Sequence, residues 1–382
     1  MAVTTPFTID VPQDVLEDLQ KRLATTRWPD SVAGAGWDYG TDLAYLKGLV
    51  GYWQQGFDWR AVERALNRIP QFRVELDGFG LHFLHVRGNG PRSIPLLLSH
   101  GFPDSFLRMI KLIPLLSDPA AHGGDAADSF DLVIPSLPGF GFSDRPHERG
   151  FDVGKIAALF DRLMTETLGY PRYAAHGGDW GSAITERLAL EHAEHLIGIH
   201  LSEIPFTRLF SVPPANLTAA EQAYLASGMK WQRREGGYFA IQSTKPQTLA
   251  VGLNDSPAGL AAWIVEKYRS WSDCDGAIEQ KFSKDELLAN ITLYWVTGTI
   301  HSAMRTYYEA SRSRLPTSLS KIEVPTGVAI FPKDLVRAPR EYGERFFDIR
   351  RWTELPSGGH FAAMEEPELL AHEIRELFRP LR

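Results

Sequence analysis

Cysteine is nearly absent from the sequence: Cys274 is the only one in 382 residues, which excludes an internal disulfide and a cysteine-rich metal site. No run of 18 apolar residues exists, so no segment is predicted to span a bilayer. Residues 1–12 lack a basic stretch followed by an apolar one, so no signal peptide is expected. Excess positive charge is also missing. With a net charge of −7, neither nucleic acid nor an anionic membrane is expected as a partner.

The overall composition is typical of a soluble globular protein, with 44% hydrophobic and 23% charged residues. Ten Trp and 21 Phe suit an apolar pocket as well as a core. A single cysteine is compatible with a reducing cytoplasm, and a cytoplasmic protein is expected. The sequence leaves the oligomeric state open, a homo-oligomer included.

Residues 1–70 precede the first predicted strand and have helical patterns. Leu16, Leu19 and Leu23 share one helix face, Thr41 is the predicted cap of a second helix, and a third is predicted over 59–66. The joint between the first two, residues 32–40, is too poor in apolar residues to fold alone. The pattern predicts a helical N-terminal extension packed on the main domain.

From residue 71 onward, strand patterns alternate with helices. A hairpin is predicted over 72–76 and 81–86. The alternation of strands and helices indicates an α/β fold with a mostly parallel sheet covered on both faces. Residues 71–204 form the first part of this predicted core. The remaining strands are predicted at 94–98, 130–134, 173–175 and 197–204, and the helices at 104 or 105 to 116, 154–168 and 182–191.

The alternation stops between residues 205 and 315, where long helices are predicted at 219–228, 258–271 and 283–305. This predicts a helical lid inserted after the sixth core strand. Residues 316–382 then complete the core, with strands at 327–330 and 346–349 and a closing helix at 367–378.

Asp179 occupies the centre of Gly-Gly-Asp-Trp-Gly at 177–181, after a short apolar run. Small residues two positions to either side of a nucleophile are typical of a sharp strand-to-helix turn, the nucleophile elbow of the α/β-hydrolase fold. Gly177 and Gly181 let strand and helix approach. An ionised aspartate there can attack an electrophilic carbon and form an ester, which narrows the substrates to epoxides, alkyl halides or activated esters. Taken alone, the motif fits a glycine turn with a capping aspartate equally well.

His360 is the predicted base that hydrolyses the ester. It follows two glycines and lies between the last strand and the last helix, where this fold presents its catalytic histidine. His100 and His176 also end strands next to the site. We interpret them as residues that make structural hydrogen bonds.

Asp334, in the loop after the strand at 327–330, is the predicted acid that orients the base and stabilises its charged form. Glu203 follows the sixth core strand, a second position at which such folds can place the acid, and it stays an alternative. Asp348 lies too near the final strand for this role.

The oxyanion site is predicted to consist of the backbone N–H groups of Trp180 and Phe102. Pro103 has no N–H to donate, and the peptide bond before it can be cis in such a tight turn. Trp180, Phe102 and Pro103 are also the predicted substrate-binding residues.

These motifs together resemble the microsomal-type epoxide hydrolases, including the helical N-terminal extension of that family. The resemblance spans nearly the whole chain, and its last two segments are more specific than a bare elbow, which dehalogenases share. The matching segments are His-Gly-Phe-Pro at 100–103, Gly-Gly-Asp-Trp-Gly at 177–181, Thr-Gly at 326–327 with Phe-Pro at 331–332, Gly-Gly-His-Phe-Ala-Ala-Met-Glu-Glu-Pro at 358–367, and the lid segments Gln-Ser-Thr-Lys-Pro at 242–246 and Asn-Asp-Ser-Pro at 254–257.

The resemblance implies two lid tyrosines, Tyr238 and Tyr307, that hydrogen-bond the epoxide oxygen and protonate it. From the sequence alone, tyrosines in such helices are more often ordinary packed residues than catalytic ones. Tyr308 is adjacent to Tyr307, and only one of two neighbours on a helix can face the site. The family often has glutamate where this chain has Asp334. The membrane-anchoring N-terminal helix of animal members is absent from the sequence.

The predicted function is therefore hydrolysis of a small apolar epoxide to a vicinal diol. Asp179 attacks, Tyr238 and Tyr307 protonate the oxygen, and water activated by His360 and Asp334 releases the product. Neither a metal nor a cofactor is expected.

Two alternatives remain open. In a dehalogenase with the same elbow, the Trp180 indole would hold the halide. A non-catalytic binding module would keep the fold without turnover. Ser182 is not a good candidate for an esterase nucleophile because it lies inside the helix after the elbow.

Overall fold

The computed structural model describes residues 3–209, 211–213, 216–313 and 321–382. Within these residues, nine strands form one sheet in the order β1-β2-β3-β5-β4-β6-β7-β8-β9. The strands are β1 (Thr5–Pro6), β2 (Gln71–Leu76), β3 (Phe79–Val86), β4 (Ile94–Ser99), β5 (Phe130–Pro135), β6 (Tyr173–Gly177), β7 (Leu196–Leu201), β8 (Ile322–Ile330) and β9 (Phe347–Glu354).

The helices fall into three groups along the chain. Three precede β2: α1 (Gln13–Ala24), α2 (Leu43–Gln55) and α3 (Trp59–Leu66). Those between the strands or after them are α4 (Leu112–Ser117), α5 (Val153–Arg162), α6 (Trp180–Glu191), α13 (Arg340–Glu344), α14 (Ala362–Glu365) and α15 (Pro367–Phe378). The insertion between β7 and β8 holds α7 (Ala219–Glu235), α8 (Gly237–Thr244), α9 (Pro246–Asp255), α10 (Pro257–Trp271), α11 (Lys284–Thr297) and α12 (Ile300–Ala310).

The sheet is parallel from β5 to β9, and the β2–β3 hairpin adds antiparallel strands at one side. Successive residues of a strand point to opposite faces. Leu97 of β4 accordingly belongs to one buried cluster, whereas Leu96 and Leu98 belong to the other. Both faces are covered, and the lid follows the sixth strand counted from the hairpin. The predicted fold class is confirmed.

The N-terminal extension contacts more than the core. Strand β1 pairs with β2, and Trp59 and Leu66 of α3 join a core cluster. Its helices also contact the lid, which the sequence pattern did not predict. Arg22 pairs with Asp255 at 2.6 Å, Thr41 Oγ1 donates to the Ala262 carbonyl at 2.7 Å, and the Tyr52 hydroxyl donates to Asp285 at 2.9 Å.

Two predicted helix features are wrong. The cap of α2 is Asp42, not Thr41, because the Asp42 carboxylate accepts the Tyr45 N–H at 2.7 Å. The helix predicted over 283–305 is two helices, α11 and α12. Gly298 adopts a left-handed conformation with φ of 61° and ends the first of them.

Two more predicted helices differ in form. The one that follows β4 starts as a 3₁₀ turn at Phe106–Met109, capped by Ser105, before α4 begins. The one predicted over 154–168 leaves α geometry after Arg162 and continues as a π turn. The predicted strand at 197–204 ends at Leu201. The predicted boundary between lid and core at residues 315 and 316 lies outside the described residues. None of the helices in the described ranges is long and apolar enough to cross a membrane.

Candidate active site

Asp179 lies at the turn between β6 and α6 with φ of 56° and ψ of −127°, a backbone conformation that residues other than glycine rarely adopt. The flanking glycines make this turn sterically feasible. A Cβ on Gly177 would lie 2.0 Å from the carbonyl oxygen of Gly181, and a Cβ on Gly181 would lie 2.0 Å from that of Ser99. The elbow predicted from the sequence is therefore present, with Asp179 at its apex.

Gly181→Ala is expected to lower the free energy of unfolding by about 2–3 kcal/mol, because the new Cβ would overlap backbone that cannot move aside. Gly48→Ala is the matched control. Gly48 is exposed in α2, and its Cβ would meet nothing within 4 Å, so about 0.5–1 kcal/mol of stabilisation is expected. Urea denaturation of the two variants measures both changes. Equal effects in the two variants would contradict this account of the elbow.

His360 connects the predicted nucleophile to the predicted acid. Its Nε2 lies 3.2 Å from Asp179 Oδ2, and its Nδ1 lies 2.8 Å from Asp334 Oδ1. Asp334 Oδ1 also accepts the Leu335 N–H at 2.7 Å, which holds the carboxylate in place. The three predicted residues thus form one hydrogen-bonded chain at the carboxyl ends of β6 and β8 and before α14.

The carboxylates around His360 favour its charged form. Burial alone would lower the pKa of this imidazole. The charge of Asp334, together with the hydrogen bonds that Asp179 and Asp334 accept from the imidazole, instead raises the pKa of His360 well above its usual value of 6.5. In the resting site Nδ1–H donates to Asp334 and Nε2–H donates to Asp179.

Phe102 supplies one of the two predicted oxyanion donors. Its backbone N–H donates to Asp179 Oδ1 at 2.7 Å, and the Phe102–Pro103 bond is cis. A Cβ at Gly101 would lie 2.1 Å from the same Oδ1, so glycine there leaves room for the carboxylate. Trp180, the second predicted donor, opens α6 directly after the nucleophile.

Tyr238 of α8 and Tyr307 of α12 lie above Phe102, and both are buried. The ring centroids of the two tyrosines are 5.8 Å apart, and that of Tyr307 is 5.5 Å from Phe102 and 4.8 Å from Trp180. Tyr308 lies on another side of α12, with the Arg312 guanidinium 3.5 Å above its ring. Of the two adjacent candidates, Tyr307 is therefore the one beside the nucleophile.

Both tyrosines are kept protonated. Burial is the largest cause that raises the pKa of Tyr238 well above 10, and the charge of Asp179 is the second. The pKa of Tyr307 is also raised well above 10, by burial first, then by the neighbouring Tyr238 and then by the charge of Asp179. Two neutral phenols close to an anionic nucleophile can donate hydrogen bonds to an oxygen that develops negative charge.

Glu203, the alternative acid, also reaches the site. Its Oε2 lies 3.7 Å from His360 Nδ1, farther than the 2.8 Å to Asp334. Its Oε1 accepts the Asp179 N–H at 2.8 Å and the Ser182 hydroxyl at 3.1 Å. Asp334 therefore makes the hydrogen bond to the imidazole, and Glu203 bonds to the backbone of the nucleophile.

A buried ion pair next to the base was missed in the sequence. Arg108 donates to Asp104 at 2.6 Å and also to the carbonyl oxygen of His360. Asp104 accepts the Gly101 N–H at 2.8 Å. Burial would raise the pKa of Asp104, but Arg108 lowers it to about 2. The sequence signal for this ion pair was an acidic residue four positions before a basic one, directly after the His-Gly-Phe-Pro turn.

The other residues considered in the sequence lie in structural positions. His100 Nε2 accepts the Leu137 N–H at 3.1 Å, and His176 Nδ1 lies 3.0 Å from its counterpart on His200. The hydroxyl of Ser182 donates to the Asp179 carbonyl inside α6. Asp348 lies within β9.

Two groups in the described ranges have His and carboxylate atoms close enough to share a metal ion: Glu203, Asp334 and His360 in the candidate site, and Asp161, His192 and His195 away from it. Asp161 Oδ1 accepts the Tyr173 hydroxyl at 2.9 Å and lies 2.9 Å from His195 Nδ1. These hydrogen bonds account for the arrangement without an ion.

The sheet order, the elbow and the hydrogen-bonded chain define an α/β-hydrolase with aspartate at the nucleophile position. A family model described as "Epoxide hydrolase N terminus" matches residues 4–109, and one described as "alpha/beta hydrolase fold" matches residues 94–252. The chain belongs to the epoxide hydrolase family, as the comparisons with individual proteins also show.

A protein of Stigmatella aurantiaca, provisionally named as an epoxide hydrolase, is 47% identical over 379 residues that cover 99% of this chain and 85% of that protein. Epoxide hydrolase 1 of Sus scrofa is 37% identical over 97% of this chain and 87% of its own. The crystal structure of juvenile hormone epoxide hydrolase from the silkworm Bombyx mori matches with a TM-score of 0.89 and 30% identity, covering 100% of this chain and 95% of that one.

Proposed function

We propose that this chain hydrolyses epoxides to vicinal diols through a covalent ester on Asp179. The observation that carries the proposal is that the groups needed for both steps surround this carboxylate. They are an imidazole that can accept a proton from water, and hydrogen-bond donors for the oxygens that develop negative charge. His360 lies 3.2 Å from one of its oxygens, and the Phe102 N–H lies 2.7 Å from the other. The two buried tyrosines lie on its lid side.

The hydrogen bonds support different roles for the two oxygens of Asp179. Oδ2 attacks an epoxide carbon, and the C–O bond of the ring breaks. Tyr238 and Tyr307 donate hydrogen bonds to the departing oxygen, and one of them gives it a proton. Oδ1 stays on the Phe102 N–H and becomes the carbonyl oxygen of the ester. When water attacks, this oxygen carries the negative charge, stabilised by Phe102 and Trp180.

Ester formation itself converts His360 into a base. The Asp179 anion is one cause of the raised pKa of His360, and esterification removes that anion. The imidazole then gives up its proton, which restores the tyrosine that protonated the ring oxygen, and it can accept a proton from water. Asp334 stabilises the charge that returns. The hydroxide adds to the ester carbonyl, the bond to the diol oxygen breaks, and His360 returns a proton to that oxygen. The carboxylic acid left at Asp179 then passes its proton to His360, which regenerates the resting site.

Tyr238→Phe and Tyr307→Phe are each expected to slow ester formation by about 10²-fold, since each removes one donor to the ring oxygen. Rapid-quench single-turnover measurements give this rate directly. Tyr308→Phe is the matched control because its ring lies under Arg312. A Tyr308 variant as slow as the Tyr307 variant would contradict the assignment.

Single-turnover labelling in heavy-oxygen water tests the covalent route. With enzyme in excess over a styrene-type, aliphatic or terpenoid epoxide, the first diol should carry no solvent oxygen, and the label should appear in Asp179. Label in the first diol would mean direct attack by water. Halide release from a chloroalkane without diol formation from any epoxide would instead support the dehalogenase.

The proposal extends to the organisation of the chain. Residues 1–70 serve as the extension, 71–204 and 316–382 as the core, and 205–315 as the lid that carries both tyrosines. The aromatic residues around Tyr238 and Phe102 favour a small apolar substrate. The single cysteine, which is buried, supports a cytoplasmic location.

A further inference from the structure

The carboxyl group of Glu203, which follows β7, contacts both the nucleophile and the base. Its Oε1 accepts the N–H of Asp179 at 2.8 Å, and this residue has the strained φ of 56°. Its Oε2 lies 3.7 Å from His360 Nδ1. Only 13% of its side-chain surface is exposed. Glu203 is therefore placed to affect the backbone position of Asp179 and the charge of His360.

The cations near Glu203 are engaged with other carboxylates. Arg108 donates to Asp104 at 2.6 Å, and His360 Nδ1 donates to Asp334 at 2.8 Å. The hydrogen bonds that Glu203 accepts come from neutral groups, a backbone amide and a hydroxyl. An ionised Glu203 would be a largely buried anion whose nearest cationic group, His360 at 3.7 Å, already bonds to Asp334 at 2.8 Å, and burial of such an anion is unfavourable. The arrangement favours a neutral carboxyl group.

The electrostatic surroundings agree with this geometry. Burial first, and then the charge of Asp334, raise the pKa of Glu203 to about 8, against the opposing charge of His360. Its proton is therefore retained at neutral pH. The charged and titratable groups that act on it or are affected by it are Arg108 before α4, Asp179 before α6, Asp334 after β8, His360 before α14, Tyr224 on α7 and Tyr238 on α8.

We propose that Glu203 is a positioning residue that acts in its neutral form: it fixes the backbone of Asp179 and leaves Asp334 as the anion that faces Nδ1 of His360. This inference rests on the proposed function. A second anion at Nδ1 would stabilise the imidazolium further, so His360 would keep its proton after the ester forms and less neutral imidazole would be present to accept a proton from water. Loss of the Glu203 proton should slow hydrolysis of the ester.

The test compares Glu203→Gln with the unchanged chain. Glutamine keeps an oxygen that can accept the Asp179 N–H, and it cannot ionise. Between pH 7 and pH 9 the unchanged chain should lose about tenfold of its rate of ester hydrolysis, because about a tenth of Glu203 stays protonated one unit above a pKa of about 8. The Gln variant should lose less than about twofold. Decay of the Asp179 ester in single-turnover experiments gives this rate.

Two further variants separate positioning from folding. Ser182→Ala removes the other donor to Oε1 and keeps the carboxyl group, so it should retain the tenfold fall. Glu203→Ala removes the acceptor for the Asp179 N–H and should slow ester formation about tenfold or more at an unchanged melting temperature. The inference is overturned if Glu203→Gln shows the same alkaline fall as the unchanged chain. It is also overturned if this variant hydrolyses the ester about 10³-fold more slowly at pH 7.

Failure of the proposed function would look different. If no epoxide is turned over, infrared difference spectra between pH 7 and pH 9 still report the protonation of Glu203. A neutral-carboxyl band that disappears with rising pH in the unchanged chain, and that Glu203→Gln lacks, supports the inference. Spectra of the two proteins that coincide over this range overturn it.

Discussion

Asp179→Asn is expected to lower kcat/KM for diol formation by at least about 10⁴-fold, the scale seen when the nucleophile of a covalent mechanism is removed. Asparagine keeps the size of the side chain and can still accept the Phe102 N–H, so the elbow is expected to persist. What it loses is the anionic oxygen that attacks the ring. Product analysis over a panel of epoxides measures the effect, with circular dichroism to show that the fold is retained.

Asp348→Asn is the matched control for this experiment. It removes another carboxylate, one that lies in β9 and is paired with Arg350 at 2.8 Å. Its activity should stay within about twofold of the unchanged chain, as is usual for a partly exposed residue remote from the reaction. Diol formation by Asp179→Asn at a rate near that of the control would show that the nucleophile lies elsewhere.

His360→Gln should stop the reaction after its first step. Asp179 can still attack, but water is no longer activated, so steady-state turnover is expected to fall by about 10⁴-fold or more. One equivalent of epoxide is consumed, and the ester accumulates. Peptide mass spectrometry should find the peptide that contains Asp179 heavier by the mass of the epoxide.

Asp334→Asn is the comparison for the experiment in which His360→Gln accumulates the ester. Its His360 is still present but has lost its anionic partner at Nδ1, so the ester should form and then decay slowly. The lifetime of the ester is expected to be shortest in the unchanged chain, longer in Asp334→Asn and longest in His360→Gln. If no adduct builds up on Asp179 in the His360 variant, the two-step mechanism is wrong.

The strands and the elbow could be predicted because they depend on local pattern. The glycines around Asp179 are required by contacts within one turn, and β4 and β6 appear as short apolar runs between turn residues. His360 and Asp334 could be chosen because each follows a strand of a parallel sheet. Their side chains then meet at one edge, whatever the details of the lid.

Distances between loops were beyond the reach of the sequence. Glu203 and Asp334 follow neighbouring strands, β7 and β8, so pattern alone allowed either to be the acid. The register of the strands and the loop conformations set 2.8 Å for one and 3.7 Å for the other. The break at Gly298 was missed for a similar reason. The helical pattern continues across it, and a glycine within such a pattern is often tolerated.

The contacts between the N-terminal helices and the lid have a consequence for synthesis of the chain. Arg22 and Tyr52 each bond to a residue 233 positions further along, and Thr41 to one 221 positions further. These helices leave the ribosome long before their partners are translated. Their apolar faces must therefore stay uncovered, or be shielded by chaperones, until α10 and α11 emerge, and this interval is when the nascent protein is most exposed to aggregation.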